Sequence, residues 1–108
     1  MIPNRYGIYF ADLNPTIGSE ICKIRPVVIV SEDTMNKYLE TVVVCQLTSK
    51  IHPKWRTRFQ ISCADKQAEI AVDQIRTISK TRLKQKIDQL SPAHASQLRR
   101  IITEMYGE

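Results

Sequence analysis

Gly18-Ser19-Glu20-Ile21-Cys22-Lys23-Ile24-Arg25-Pro26 runs directly into Val27-Val28-Ile29-Val30, so a polar, turn-prone segment delivers one arginine to the mouth of an apolar strand. Pro26 restricts Arg25 to extended conformations. The β-branched run after it reads as a strand buried on both faces. A guanidinium held at a rigid strand entrance suits a phosphate or a carboxylate, because its planar fork donates two parallel hydrogen bonds. The alternative is a structural arginine that pairs with Glu20 or caps the loop. Thr48 and Ser49 close a second valine-rich run, so their hydroxyls emerge at a sheet end, where they form a turn or meet a ligand. If residues 25–31 pair antiparallel with 41–48, the start of one strand faces the end of the other, and Arg25 and Thr48 converge.

From Thr41 to Ala64 there is no Asp or Glu, while Lys50, Lys54, Arg56 and Arg58 lie within it, with Trp55 among them and His52 nearby. Cations neutralise phosphates and a ring gives a base a stacking surface, so this segment reads as a single-stranded nucleic-acid surface. Its structural alternative is a solvated loop with Trp55 folded onto the core. The formal charge of +5 also favours an anionic partner. His52 and His94 are the only histidines, and neither has a neighbour at metal-ligand spacing, so no metal site is expected. With glycines only at 7, 18 and 107 there is no phosphate-cradling loop, and no cofactor is expected. An enzyme built from this chain relies on Arg, Thr and a carboxylate, either Glu20 or Asp73. Cys22, Cys45 and Cys63 form neither a disulfide framework nor a zinc knuckle, and Cys45 reads as a small buried hydrophobe.

The elements that must position these residues follow from periodicity. Residues 5–12 alternate as a first strand with one face inward, and Asn14-Pro15-Thr16 breaks it. The second strand runs from Pro26 to Ser31, and Ser31-Glu32-Asp33-Thr34 opens a short helix over 34–39. Residues 41–47 and 56–62 read as the third and fourth strands. Residues 69–72 and 74–78 read as one or two more, bent at Asp73, and Ser79 as the cap of a short helix through Ile87. Ser91-Pro92 starts a final helix whose Ala95, Leu98, Ile101, Ile102 and Met105 make an apolar stripe, closed by Gly107. The 108 residues thus predict a single domain, mainly β: a small antiparallel barrel with short helices and a C-terminal amphipathic helix. No apolar run reaches the length of a membrane span and no signal-peptide pattern opens the chain, so a cytoplasmic protein is expected.

Four motifs in order resemble the MazF/PemK (Kid-like) toxin family, the endoribonuclease half of bacterial type II toxin–antitoxin pairs: Tyr9-Phe10-Ala11-Asp12-Leu13-Asn14-Pro15, then Gly18-Ser19-Glu20 with Arg25-Pro26-Val27, Leu47-Thr48-Ser49-Lys50, and Asp73-Gln74-Ile75-Arg76-Thr77-Ile78. The resemblance spans nearly the whole chain. It implies an SH3-like barrel core, a homodimer, metal-independent cleavage of single-stranded RNA at a short sequence, and neutralisation by an antitoxin with an acidic, disordered tail. Arg25 and Thr48 stand where the Gram-positive branch places its catalytic pair, and Glu20 matches a further functional position. Ser19, Lys23, Ser49, Lys50, Lys54, Trp55, Arg56, Asp73, Gln74 and Arg76 are the expected RNA-contacting residues. The chain departs from the family in having Cys22-Lys23 where many members have glycines, and Ala71 where the Kid branch has an arginine. Asp73, matching that branch's proposed general base, therefore has a structural alternative.

The implied chemistry is attack of the RNA 2′-hydroxyl on the adjacent phosphorus, leaving a cyclic phosphate and a 5′-hydroxyl. Arg25 meets the charge on the phosphorus oxygens and Thr48 fixes the phosphate. No residue of the sequence stands out as the general base. Two other readings fit a similar fold: a CcdB-like toxin that binds gyrase, and a non-catalytic RNA-binding barrel.

Overall fold

A computed structural model describes residues 2–13 and 24–107. Ser19, Glu20 and Lys23 of the expected site, with the Asn14-Pro15-Thr16 turn and Cys22, lie outside the described residues. The described chain forms β1 (Gly7–Asp12), β2 (Ile24–Ile29), α1 (Asp33–Tyr38), β3 (Thr41–Thr48), β4 (Arg58–Cys63), β5 (Lys66–Ser79), a 3₁₀ turn (Lys80–Arg82), β6 (Leu83–Gln89) and α2 (Pro92–Tyr106). The strands make one curled antiparallel sheet in the order β4-β5-β3-β2-β1-β6. Its two edge strands are linked by a side chain: Asp88 of β6 accepts the amide of Ala64 in the β4–β5 turn at 2.9 Å. Ala64 and Asp65 both hold left-handed backbone, φ 49° and 65°, the conformation that a two-residue hairpin of right-twisted strands requires.

Side-chain alternation divides the core into two clusters. One joins Ile8, Val28, Cys45, Leu47, Phe59, Ile61, Ile70 and Val72 to Ala95, Leu98 and Ile101 of α2. The other gathers Tyr9, Ala11, Leu13, Val27, Ile29, Val42, Val44, Ile78 and Leu83. β1 is therefore buried on both faces, not one: Ile8 enters the first cluster and Tyr9 and Ala11 the second, while β2 and β6 pair along its two edges. α2 begins at Ser91, whose hydroxyl accepts the His94 amide at 3.2 Å, with Pro92 in the first turn. Burying Leu98 and Ile101 contributes about 1.5–3 kcal/mol each.

Two local expectations change. The helix expected from Ser79 to Ile87 is only the 3₁₀ turn, capped by the Ser79 hydroxyl, followed by β6. Pairing with β1 recruits 83–89 as a strand, tertiary contact overriding a local helix start. The Ser31 hydroxyl does not cap α1, whose N-cap is Glu32 with no side-chain bond. It lies inside instead, against Asn36 Oδ1 (2.5 Å) and accepting the Val43 amide (3.1 Å). The expected bend at Asp73 is a bulge within one long β5. Val44 pairs with Arg76 but Gln46 with Ala71, so residues 72–75 stand opposite Cys45 alone.

Candidate active site

The face that carries the second core changes character along the strands. On β2, β3 and β5 the apolar residues Val27, Val44 and Ile78 give way, two residues along the strand and on the same face, to Arg25, Gln46 and Arg76, the first and last of these lying earlier in the chain. The β2–β3 ladder ends with Val27 opposite Gln46, and two residues beyond it on each strand stand Arg25 and Thr48, which line the same cleft. A cleft of about 300 Å³ forms at this polar end, lined by Arg25, Gln46, Thr48, Lys50, His52, Trp55, Arg58 and Gln74. A second hollow of about 240 Å³, lined by Leu13, Arg25, Gln46 and Arg76, shares two of those residues, so the two adjoin at Arg25 and Gln46. Ile51, Pro53 and Lys54 extend the wall beyond His52 and Trp55.

Of the sequence-predicted residues, Arg25, Thr48, Lys50, Trp55 and Gln74 thus share one cleft, Arg76 lies in the adjoining hollow and Lys54 beyond Trp55. Ser49 and Arg56 are exposed outside them. The Thr48 hydroxyl accepts the Lys50 amide at 3.1 Å, so it forms a turn and still keeps its own hydrogen to donate. Trp55 is half exposed and does not fold into the core; it stacks on the His52 ring, centroids 4.0 Å apart and planes 22° apart. Among the described residues, Arg25, Lys50, Lys54, Arg56 and Arg76 have no carboxylate partner.

Arg58 differs. Although its own segment has no carboxylate, two reach it from β5. Its Nε and second terminal nitrogen donate to Asp73 at 2.7 and 3.2 Å, and its first terminal nitrogen to Glu69 at 3.0 Å. Thr57 also donates to Asp73, at 3.0 Å. The Arg58 hydrogen bond, with Thr57 behind it and burial opposing, holds the Asp73 carboxyl below its ordinary value. Asp73 is thereby engaged in fixing Arg58.

Glu69 is fully buried and paired across β3–β5 with Thr48, so it lies beneath the cleft. It accepts the His52 backbone amide, the His52 ring nitrogen Nδ1 at 3.0 Å, and Arg58. Burial alone would push its carboxyl up, but those hydrogen bonds hold it below the ordinary 4.5. Sequence reasoning missed Glu69 and Gln46; it placed Arg58 and His52 in the basic nucleic-acid-binding segment without singling either out as a site residue. The signal for Glu69 was present: it is the one charged residue in Ala68-Glu69-Ile70-Ala71-Val72, and a carboxylate in an apolar run must find partners. Cys45, a residue of β3, is fully buried, and burial and then Asp73 push its thiol up to about 12, which disfavours the thiolate that a nucleophile needs.

Residues 4–106 match the family described as PemK-like, MazF-like toxin of type II toxin-antitoxin system. The chain is 46% identical over 92 residues to the endoribonuclease MazF of Staphylococcus saprophyticus, covering 81% of this chain and 77% of that protein. Among solved structures it is similar to a mycobacterial endoribonuclease in complex with its cognate antitoxin (TM-score 0.79, 23% identity, 97% of this chain and 95% of that one). It is also similar to MazF of Deinococcus radiodurans (TM-score 0.83, 14% identity, 100% and 99%). At those identities the two structures speak for the shared fold.

Proposed function

The chain belongs to the PemK-like, MazF-like toxins of type II toxin–antitoxin systems, and on that premise we propose that it is an endoribonuclease that cleaves single-stranded RNA at a short recognition sequence. The observation that carries this reading is the convergence of Arg25 and Thr48, from neighbouring strands, in a groove whose lining is cationic. RNA brings its own nucleophile. The 2′-oxygen attacks the adjacent phosphorus, the bond to the 5′ oxygen breaks, and a 2′,3′-cyclic phosphate and a 5′-hydroxyl remain. Arg25 meets the negative charge that builds on the phosphorus oxygens, a contribution worth several kcal/mol when the donor is fixed in advance. The Thr48 hydroxyl donates to the same phosphate and holds it in line. Trp55 offers a stacking face to one base, and Gln46 and Gln74 offer amides that read base edges.

The antitoxin is proposed to lay an acidic segment along the same groove, where Arg25, Lys50 and Arg76 stand without carboxylate partners among the described residues. The working toxin is proposed to be a homodimer. The kinship to an endoribonuclease at 46% identity favours this reading over a gyrase binder or a silent RNA-binding barrel.

The test is incubation of the protein and its Arg25→Ala variant, in EDTA, with a long single-stranded RNA, followed by mapping of the cuts and analysis of the new ends. Discrete cuts bearing cyclic phosphates, reduced about 10²–10³-fold in the folded variant, are expected. Intact RNA, or a variant as fast as the parent, overturns the proposal.

A further inference from the structure

Arg25 and Thr48 supply charge stabilisation and position, but neither takes a proton from the 2′-hydroxyl. Among the described residues the carboxylates near the cleft are poor candidates. Asp73 is engaged by three hydrogen bonds from Arg58 and Thr57, and Glu69 is wholly enclosed and cannot touch a substrate. His52 lines the cleft together with Arg25 and Thr48.

Resting on the endoribonuclease reading, we propose that His52 is the general base of the cleavage and that Glu69 is the residue that positions it. Glu69 grips His52 twice, one carboxylate oxygen accepting the backbone amide and the other facing ring Nδ1 at 3.0 Å. A terminal nitrogen of Arg58 also stands 3.3 Å from Nδ1, but the carboxylate contact is the shorter and an ionised carboxylate only accepts, so the ring proton sits on Nδ1. Nε2 is then the unprotonated nitrogen, and it has no hydrogen-bond partner among the described residues. Trp55, stacked on the ring at 4.0 Å, fixes its plane. Arg58 donates at 3.0 Å to the same carboxylate oxygen that faces Nδ1, and Asp73, itself held by Thr57, steadies Arg58. The order of parts is that of a base whose orientation and tautomer are set by a buried acid. In the step itself, Nε2 takes the 2′-hydroxyl proton as the new P–O2′ bond forms and the P–O5′ bond breaks. The departing 5′ oxygen takes a proton from solvent water, and the imidazolium returns its own to solvent.

The decisive variant is His52→Asn, whose side-chain amide nitrogen takes the place of Nδ1 and keeps the bond to Glu69 while Nε2 is lost. Cleavage is expected to fall about 10²–10⁴-fold. Affinity for an RNA with a 2′-deoxy residue at the cut site is expected to stay within about threefold. In His52→Ala, added imidazole is expected to restore cleavage in proportion to its concentration. Glu69→Gln is expected to slow the parent but add nothing in the His52→Asn background, a coupling that a purely structural role does not produce. Parent-like cleavage by folded His52→Asn overturns the inference while leaving the nuclease reading intact. An inactive parent overturns both.

Discussion

Replacing Glu69 by alanine tests whether the ion network under the cleft holds the fold as well as the site. The side chain has no exposure and accepts three hydrogen bonds, from the His52 amide, the His52 ring and Arg58. Removing one partner of a buried pair costs about 3–5 kcal/mol when the remaining charge is left alone. Here Arg58 keeps Asp73 at 2.7 and 3.2 Å, which lowers that part, while the orphaned His52 donors add about 1–3 kcal/mol. The expected loss is about 3 kcal/mol, roughly a fifth to three-fifths of the ~5–15 kcal/mol that native domains have. For 108 residues that lowers Tm by about 12 °C. Asp73→Asn, at a carboxylate about one-third exposed, is expected to cost only about 1 kcal/mol, since its partners keep a route to water. Urea melts followed by circular dichroism, with the single Trp55 as a second probe, measure both. A loss below about 1 kcal/mol for Glu69→Ala, or a larger loss for Asp73→Asn, refutes the reasoning.

The ionised forms of Glu69, Asp73 and Asp88 are favoured by folding, since all three titrate below their ordinary 4.5, 3.8 and 3.8. Their contribution is complete above those values and is lost as pH falls through the depressed folded values. The urea midpoint should therefore hold from pH 7 to about 5 and drop below it, less steeply in Asp88→Asn; a flat midpoint down to about pH 3 contradicts this. Ala64→Gly should gain about 0.5–1 kcal/mol, because relief of a left-handed alanine exceeds glycine's extra freedom in the unfolded chain. No gain in the melt means the turn is not strained. Changing Lys54 and Arg56 together to Gln should weaken RNA binding and lower the slope of log affinity against log salt by about 1.4. An unchanged slope makes that loop a bystander.

The sheet was legible because its signals are local. Valine runs, a proline after Arg25 and a serine–proline helix start each leave little choice. The convergence of Arg25 and Thr48 needed only one assumption, antiparallel pairing of β2 with β3. Burial of the second face of β1 was not legible, since the cluster that covers it reaches to Ile78 and Leu83, about seventy residues away, and β6 carries Lys84, Gln85 and Lys86 like a solvated turn. The network at the site was hidden for the same reason. His52 and Arg58 meet Glu69 and Asp73 only because β4 pairs with β5 and a bulge turns Asp73 toward Arg58. A segment that looked wholly basic in sequence is thus partly neutralised from the next strand.

Pairing of the first strand with the last also sets the order in which the molecule can be completed. β2, β3, β4 and β5 can join as the chain lengthens, but one edge of β1 stays open until residues 83–89 exist. Closing a loop of that span comes late and carries a high contact order, which slows folding. On a ribosome, β1 therefore acquires its second neighbour only once residues 83–89 have been made. A chain cut short before β6 lacks the partner of β1 and the helix that covers the first core. The sheet is complete only when β6 has joined it.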